Sequence, residues 1–215
     1  MTVSGSSIVA VVLCGGAGSR LGGVDKPLQR WRGRPLVDQI LERIEPQVER
    51  VCISANRNLD AYRERAPVVM DAPQPRATTG ALSERSRQAL SHTMGPLAGV
   101  LAAARWFAAG LTNRQLEEIN LLICPGDSPR VPADLAVQLA RATSVAAYVH
   151  DGQRPHPLHA LVSLAGALTI DGYLESGARS VLGWLETHSA KPVLIADPDA
   201  FVNINAPADF RRGTT

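Results

Sequence analysis

The chain has 215 residues, is 45% hydrophobic and 20% charged, and carries 22 basic against 20 acidic residues, for a formal net charge of +2. This composition is ordinary for a globular protein with a full core, and the length allows one large or two small domains. A charge so close to balance gives no reason to expect nucleic acid or a membrane surface as a partner.

Three cysteines, Cys14, Cys52 and Cys124, lie in or beside apolar runs and form no C-x-x-C pair. Buried free thiols suit a reducing compartment, so we expect a cytoplasmic protein. The apolar run at residues 8–13 has neither the length nor the basic leader of a signal sequence. We therefore predict that it forms a buried strand.

Short apolar runs alternate with helical patterns along the chain. The pattern predicts strands at residues 9–13, 48–54, 68–70, 119–124, 145–150, 158–162 and 192–196, and helices at residues 36–45, 96–109, 133–141 and 180–187. Residues 72–94, with two prolines, adjacent threonines and several arginines, predict a long loop in which residues 81–90 could form a short helix. No internal repeat or linker is visible, so we predict one domain over residues 1–215.

Alternation of helices with nearly continuous apolar strands predicts an α/β fold, with a mainly parallel sheet covered on both faces. In such sheets the ligand binds beyond the carboxyl ends of the strands. The polar and glycine-rich motifs do follow predicted strands: the loop after residue 13, S-A-N-R at 54–57, Asp71, and P-G-D at 125–127. We therefore place the functional site at this edge of the sheet.

The first strand leads into a glycine-rich loop, and residues 13–26 read L-C-G-G-A-G-S-R-L-G-G-V-D-K. Glycines let backbone N–H groups crowd around a phosphate, and Arg20 and Lys26 add positive charge. The loop is not a Walker motif, because Pro27 follows Lys26, and Leu21 replaces the third glycine of a dinucleotide fingerprint. We predict a phosphate-binding loop, although an ordinary strand-to-helix turn also carries glycines.

Two aspartates at strand ends are candidate ligand contacts. Asp127 follows a buried strand and precedes a proline-stiffened exit, which suits a Mg²⁺ ligand that shares the ion with substrate phosphates. Asp71 could accept a hydrogen bond from a base or a ribose. For both residues the alternative is an ordinary turn or helix-capping role.

The second half of the chain carries candidate contacts for another substrate. Arg154 and His156 suit an anionic ligand, whereas His156 and His159 lack the further ligands that a zinc site needs. Asn203 and Asn205 lie on one side of an extended segment, where they could hold substrate or play a structural role. No G-x-S-x-G elbow and no Cys-His context is present, which argues against covalent catalysis.

Together these motifs resemble the molybdenum cofactor guanylyltransferase family, within the nucleotidyltransferases of pyrophosphorylase-like fold. The matching segments occur in order: residues 13–26, 54–57, Asp71, G-P-L-A-G at 95–99, P-G-D-S-P-R-V-P at 125–132, V-H-D-G-Q-R-P-H-P at 149–157 and F-V-N-I-N-A-P at 201–207. The glycine loop alone indicates only a nucleotidyltransferase, and the last two segments narrow the resemblance to this family.

The resemblance implies a Rossmann-like three-layer sandwich that transfers GMP from GTP to molybdopterin and releases pyrophosphate. It implies Mg²⁺ as cofactor, held by Asp127, and molybdoenzymes or their chaperones as further partners. The catalytic set it implies is Lys26, Asp127 and Arg20. The nucleotide-binding set is Leu13, Cys14, Gly15, Gly16, Lys26, Asn56, Asp71 and Asp127. The pterin-side set is Arg154, His156, Asn203 and Asn205.

The chain departs from the family pattern at four motif positions. Cys14 replaces Ala, Ser54 replaces the first Asn of N-A-N-R, Gly126 replaces Cys, and Ala206 replaces Thr. None of these is a phosphate or metal position. A related transferase using CTP or a sugar phosphate, and a nucleotide-binding regulator without catalysis, remain alternative hypotheses.

Overall fold

A computed structural model of the chain describes residues 7–15, 25–71, 95–142 and 145–204. Its strands are β1 (Ser7–Leu13), β2 (Arg30–Trp31), β3 (Arg34–Pro35), β4 (Arg50–Ser54), β5 (Val68–Val69), β6 (Ile119–Pro125), β7 (Ala146–His150), β8 (Pro155–Ser163) and β9 (Lys191–Leu194). Its α-helices are α1 (Leu36–Ile44), α2 (Leu59–Arg63), α3 (Pro96–Ala108), α4 (Asn113–Glu118), α5 (Leu135–Ala142), α6 (Leu164–Leu168), α7 (Ile170–Glu175) and α8 (Val181–Thr187). Within these ranges no helix is long and apolar enough to cross a membrane.

Seven of the strands form one sheet in the order β5-β4-β1-β6-β8-β7-β9. Strands β5, β4, β1 and β6 are mutually parallel, and β9 is parallel to β7. Strand β8 runs antiparallel to both of its neighbours, β6 and β7, and a short turn at residues 151–154 joins it to β7. The predicted mainly parallel sheet is confirmed, with β8 as its antiparallel strand.

Strand β1 shows why helices cover both faces. Successive side chains of a strand point to opposite faces. Ile8, Ala10 and Val12 pack with α1, α2 and α5, whereas Val9 and Val11 pack with α3, α6, α7 and α8. Because all five residues are buried, neither face can be left to solvent. The result is the predicted three-layer α/β sandwich.

The structure adds elements that the sequence pattern missed. These are the β2–β3 hairpin and the short helices α2, α4, α6 and α7, which have at most six residues and therefore no readable period. Only α4 carried a clear signal, because Thr112 and Gln115 form a capping box at its start. Strand β4 begins at Arg50 rather than 48, after a 3₁₀ turn at Glu45–Gln47, and β9 begins and ends earlier than predicted. The predicted loop at residues 72–94 lies outside the described residues.

A wide bulge in β8 shapes the edge of the functional cleft. Tyr148 of β7 pairs with Ala160, but Val149 pairs with His156, so three consecutive residues of β8 have no partner on β7. Such bulges re-aim side chains near binding sites. Here the bulge carries Leu158 and His159.

His159 is buried by this bulge, with 2% of its surface exposed, and its ring packs edge-on against Phe201 with 5.0 Å between centroids. Its Nε2 has no hydrogen-bond partner among the described residues. Burial, and secondarily the charge of His156, lowers the pKa of His159 from 6.5 to about 3. The imidazole is therefore neutral in the folded protein at neutral pH.

We expect this histidine to make the folded state less stable in acid. Between pH 6.5 and about 3 the unfolded chain binds a proton on His159 and the folded chain does not, so the free energy of unfolding falls as pH falls. The contribution is at most about 1.4 kcal/mol per pH unit. Urea unfolding at pH 7 and pH 5 should show a smaller loss for His159→Phe than for the unsubstituted chain. An equal loss in both would contradict this assignment.

Candidate active site

A cavity of about 430 Å³ opens at the carboxyl ends of the parallel strands. Leu13 ends β1, Ser54 ends β4, Asp71 follows β5, and Asp127 follows β6, and all four line the cavity. The opposite wall includes Leu158 and Asn203. A cavity therefore lies at the edge of the sheet where the sequence predicts the site.

Lys26 and Asp127 form an ion pair in this cavity. Lys26 Nζ lies 2.5 Å from Asp127 Oδ2, and the two side chains are only 15% and 21% exposed. Partial burial weakens solvent screening, which strengthens the attraction. Two residues that lie 101 positions apart in the sequence therefore meet at the centre of the site.

The second carboxylate oxygen of Asp127 is suited to a cation. Oδ1 is buried and has no hydrogen-bond partner in the described part of the chain. A buried unpartnered carboxylate oxygen is costly unless a ligand completes it. No group of three or more His, Cys, Asp or Glu side chains that could hold a metal occurs among the described residues. A cation here would take an oxygen of Asp127 and further oxygens from its ligand, as Mg²⁺ commonly does.

Asp25, which the sequence motif contains but whose role it does not reveal, anchors the end of the glycine-rich loop. Its side chain is buried, and it accepts hydrogen bonds from Tyr62 Oη (2.8 Å) and Asn58 Nδ2 (2.9 Å). Arg57 Nε adds a charge 3.6 Å from Oδ2. Burial raises the pKa of Tyr62 well above its usual value, so its hydroxyl stays protonated and donates. These contacts fix the residue immediately before Lys26.

Two departures from the family pattern, Cys14 and Gly126, occupy the same space. A Cβ built on Gly126 would lie 2.7 Å from Cys14 Sγ and 2.9 Å from the carbonyl oxygen of Leu13. The Gly126 N–H donates to that same oxygen at 2.8 Å, so the two strand ends are in close contact. The glycine makes room for the Cys14 sulfur. The family pattern has its cysteine at position 126, whereas this chain has a cysteine at position 14. Burial, and then the charge of Asp25, raises the pKa of Cys14 well above normal, so this thiol is no nucleophile.

On the other side of β1, an amide and a carboxylate converge beside the loop backbone. A Cβ on Gly15 would lie 3.5 Å from Asp71 Oδ2 and 3.6 Å from Asn56 Nδ2. The Asp71 N–H donates to Asn56 Oδ1 at 3.2 Å, which orients the Asn56 amide. Of these residues, Gly15 and Asp71 line the cavity.

The start of α3 closes this wall of the cavity. Gly95 has φ +65°, a left-handed conformation that favours glycine, and it precedes Pro96 at the first helical position. A Cβ on Gly99 would lie 2.5 Å from Ser54 Oγ, so the helix approaches β4 too closely for a side chain. The G-P-L-A-G segment therefore serves close packing, and its small residues leave the cavity open.

Arg154 and His156 lie on the β7–β8 turn and its exit, and they are not among the described residues that line the cavity. His156 Nε2 donates to Asp151 Oδ2 at 2.7 Å, and Asp151 Oδ1 accepts the N–H groups of Gln153 and Arg154. The His156 hydrogen bond, followed by those backbone groups, holds the pKa of Asp151 far below its usual range. The Arg154 side chain is 67% exposed, with Nε 3.9 Å from the same carboxylate.

Of the residues predicted for the site, the structure brings Leu13, Cys14, Gly15, Lys26, Asp71, Asp127 and Asn203 together in the cavity lining. Asn56 is not part of that lining, but its Nδ2 lies 3.6 Å from the position of a Cβ built on Gly15. Gly16, Arg20 and Asn205 lie outside the described residues. Sequence reasoning did not find Leu158 or Ser128, because their positions depend on the β8 bulge and on a contact with a distant segment.

Comparison with known proteins agrees with this architecture. The family model described as MobA-like NTP transferase domain matches residues 10–190. A protein of Mannheimia succiniciproducens named molybdenum cofactor guanylyltransferase is 35% identical over 210 residues, covering 95% of this chain and 97% of that protein. A protein of the same name from Ralstonia nicotianae is 36% identical over 221 residues, covering 96% of each.

Among solved structures, the fold is similar to that of molybdopterin-guanine dinucleotide biosynthesis protein A from Archaeoglobus fulgidus. The TM-score is 0.66 at 22% identity, and the match covers 96% of each chain. A nucleotidyl transferase from Methanothermobacter matches with a TM-score of 0.65 at 19% identity, covering 96% of this chain and 95% of that one. At these identities the likeness concerns the fold alone.

We expect Gly126→Ala to destabilise the protein because its Cβ meets Cys14 Sγ and the Leu13 carbonyl oxygen. Overpacking of this kind costs about 1–3 kcal/mol. In the double variant Cys14→Ala/Gly126→Ala the sulfur contact is gone, so the combined loss should be smaller than the sum of the single losses, by about 0.5 kcal/mol or more. Urea unfolding of the four proteins measures this coupling, and strictly additive losses would contradict the contact between position 126 and the Cys14 sulfur.

Proposed function

The chain belongs to the family of MobA-like NTP transferase domains, and from that premise we propose that it transfers GMP from GTP to molybdopterin. In this reaction an oxygen of the molybdopterin phosphate attacks the α-phosphorus of GTP. The bond from that phosphorus to the oxygen bridging the β-phosphate breaks, and pyrophosphate leaves. The names of relatives that match nearly the whole chain support this substrate pair.

The observation that carries the proposal is the Lys26–Asp127 pair in a cavity at the strand ends. Transfer of a nucleotidyl group needs positioned reactants and neutralised charge more than it needs a protein nucleophile. Lys26 would contact the phosphates, together with backbone N–H groups of the glycine-rich loop at Gly15 and Gly16. By resemblance, Arg20 would add a second cation.

Asp127 would hold Mg²⁺ through its carboxylate. Its buried unpartnered Oδ1 supports this assignment, and Lys26 holds the other oxygen in place. When bound, the ion supplies positive charge to the phosphate oxygens during transfer. Asp25 contributes indirectly, because its hydrogen bonds fix the backbone that carries Lys26.

The pair of Asn56 and Asp71 favours guanine over cytosine. The edge of guanine offers two adjacent donors, N1–H and the N2 amino group, which one carboxylate can accept together, and its O6 accepts from an amide. The corresponding edge of cytosine has one donor and two acceptors. The two acceptors would face the negative carboxylate of Asp71. The placement of both side chains beside Gly15 supports this assignment.

On the acceptor side we assign Asn203, Asn205, Arg154 and His156 to molybdopterin. The place of Asn203 in the cavity lining supports its own assignment. Leu158, on the β8 bulge, would add an apolar wall for a planar ring. The product would then pass to a molybdoenzyme or its chaperone.

Pyrophosphate release with each nucleoside triphosphate, with and without molybdopterin, tests this function. We expect release that requires Mg²⁺, GTP and molybdopterin together. Release with CTP instead would favour the cytidylyl reaction, and release with a sugar phosphate as acceptor would favour a pyrophosphorylase. Nucleotide binding without release under any of these conditions would indicate a regulator.

We expect Asp127→Asn to lower kcat by about 10²–10³-fold and to retain GTP binding, because an amide is a poor Mg²⁺ ligand while the loop and Lys26 remain. Lys26→Ala should instead raise the KM for GTP by about 10–100-fold, the value of a hydrogen bond to a charged group. Steady-state kinetics and GTP titration separate the two effects. Two control variants should behave like the unsubstituted chain. One is Lys191→Ala, on the exposed edge of the sheet. The other is Asp60→Asn, which changes a nearly fully exposed carboxylate.

We expect Asp71→Asn to weaken discrimination between GTP and CTP. The amide retains one acceptor and turns an N–H group toward the guanine donors, so the ratio of kcat/KM for GTP to that for CTP should fall about 10–100-fold. Parallel assays with both nucleotides, with Asp60→Asn as the control, measure the ratio. An unchanged ratio would remove Asp71 from base recognition.

A further inference from the structure

Two hydrogen bonds join the turn after β6 to the segment at residues 202–204. The Ile204 N–H donates to the carbonyl oxygen of Asp127 at 3.0 Å. The Ser128 hydroxyl donates to Oδ1 of Asn203 at 2.7 Å. Ser128 is completely buried, although it is polar and directly follows the proposed metal ligand. Its hydroxyl is therefore committed to this contact rather than to solvent.

In this structure the Ser128 bond takes the Oδ1 end of the Asn203 amide and leaves the Nδ2 end for a ligand. A terminal amide has two nearly equivalent orientations, which differ by exchange of its oxygen and nitrogen. With Oδ1 accepting from Ser128, the Nδ2 group is left to donate, and the described residues give it no other hydrogen bond. Asn203 lines the cavity, and Nδ2 is the end of its amide that Ser128 leaves for a ligand there.

The backbone of this segment is held independently of Ser128. Ile204 is buried in a small cluster with Trp31 and Leu36, next to the β2–β3 hairpin. Together with its N–H bond to Asp127, this packing fixes the main chain beside Asn203. The side chain of Asn203 keeps its own rotations, and the hydrogen bond from the Ser128 hydroxyl restrains them.

We propose that Ser128 is a positioning residue, which fixes the Asn203 amide so that Nδ2 donates to a phosphate oxygen of the acceptor. The proposal rests on the proposed function for the identity of that acceptor. Because Asp127 and Ser128 are consecutive, one turn would hold both the metal ligand and the acceptor contact, and thereby set the distance between the two substrates.

Kinetics of a double-mutant cycle test this role. Ser128→Ala should raise the KM for molybdopterin about tenfold, the value of one hydrogen bond to a charged group, and leave the KM for GTP within about twofold. If Ser128 acts through Asn203, it should have no further effect in the Asn203→Ala background. Ser163→Ala is the matched control, because it removes a hydroxyl that caps α6 and should cost stability without changing either KM.

A molybdopterin KM that is unchanged in Ser128→Ala, or effects of the two substitutions that simply add, would overturn the proposal. A measurement made without substrate tests the role of Ser128 separately from the proposed function. The ¹⁵N order parameter of the Asn203 side-chain amide, assigned by its loss in Asn203→Ala, should be high in the unsubstituted chain and fall in Ser128→Ala. Equal order parameters would also overturn the proposal. Absence of molybdopterin-dependent pyrophosphate release by the unsubstituted chain would count against the proposed function alone.

Discussion

The cleft depends on one contact, the ion pair that brings Lys26 Nζ within 2.5 Å of Asp127 Oδ2. Each of these partly buried charges stabilises the other, since removal of either partner leaves the other less well solvated. The sheet makes the contact possible, because β1 and β6 are adjacent and parallel and place Leu13 beside Pro125. The loops that follow these strands therefore begin next to each other, at the same edge of the sheet.

Each partner of the pair is supported from outside. Asp25 holds the chain before Lys26 through Tyr62 and Asn58, while the segment ending at Ile204 holds the turn that carries Asp127. Both supports are buried polar contacts whose groups are mutually satisfied, which favours a single arrangement of the site. A nucleotide would meet charges that are already positioned, so less of its binding energy is spent on ordering the protein.

Close packing of small groups shapes the cavity as much as charge does. Gly99 lets α3 approach Ser54, and Gly126 lets the end of β6 approach Cys14. A side chain at either glycine would meet atoms that form the wall of the cavity. At this point the absence of a side chain at Gly126 provides the space that the Cys14 sulfur occupies.

The sequence alone determined the α/β class, the buried strands and the position of the glycine-rich segment after β1, because apolar periodicity and glycine spacing are local properties of the chain. It also identified Lys26, Asp71, Asp127 and Asn203, since each follows a strand or lies in a recognisable motif. The short helices α2, α6 and α7 were not predicted, because packing rather than local propensity stabilises segments of five or six residues. Only the tertiary structure decided that Lys26 pairs with Asp127, that Gly126 accommodates Cys14, and that Ser128 holds Asn203. Each of these contacts joins residues at least 75 positions apart, and no local pattern in a sequence reports such a distance.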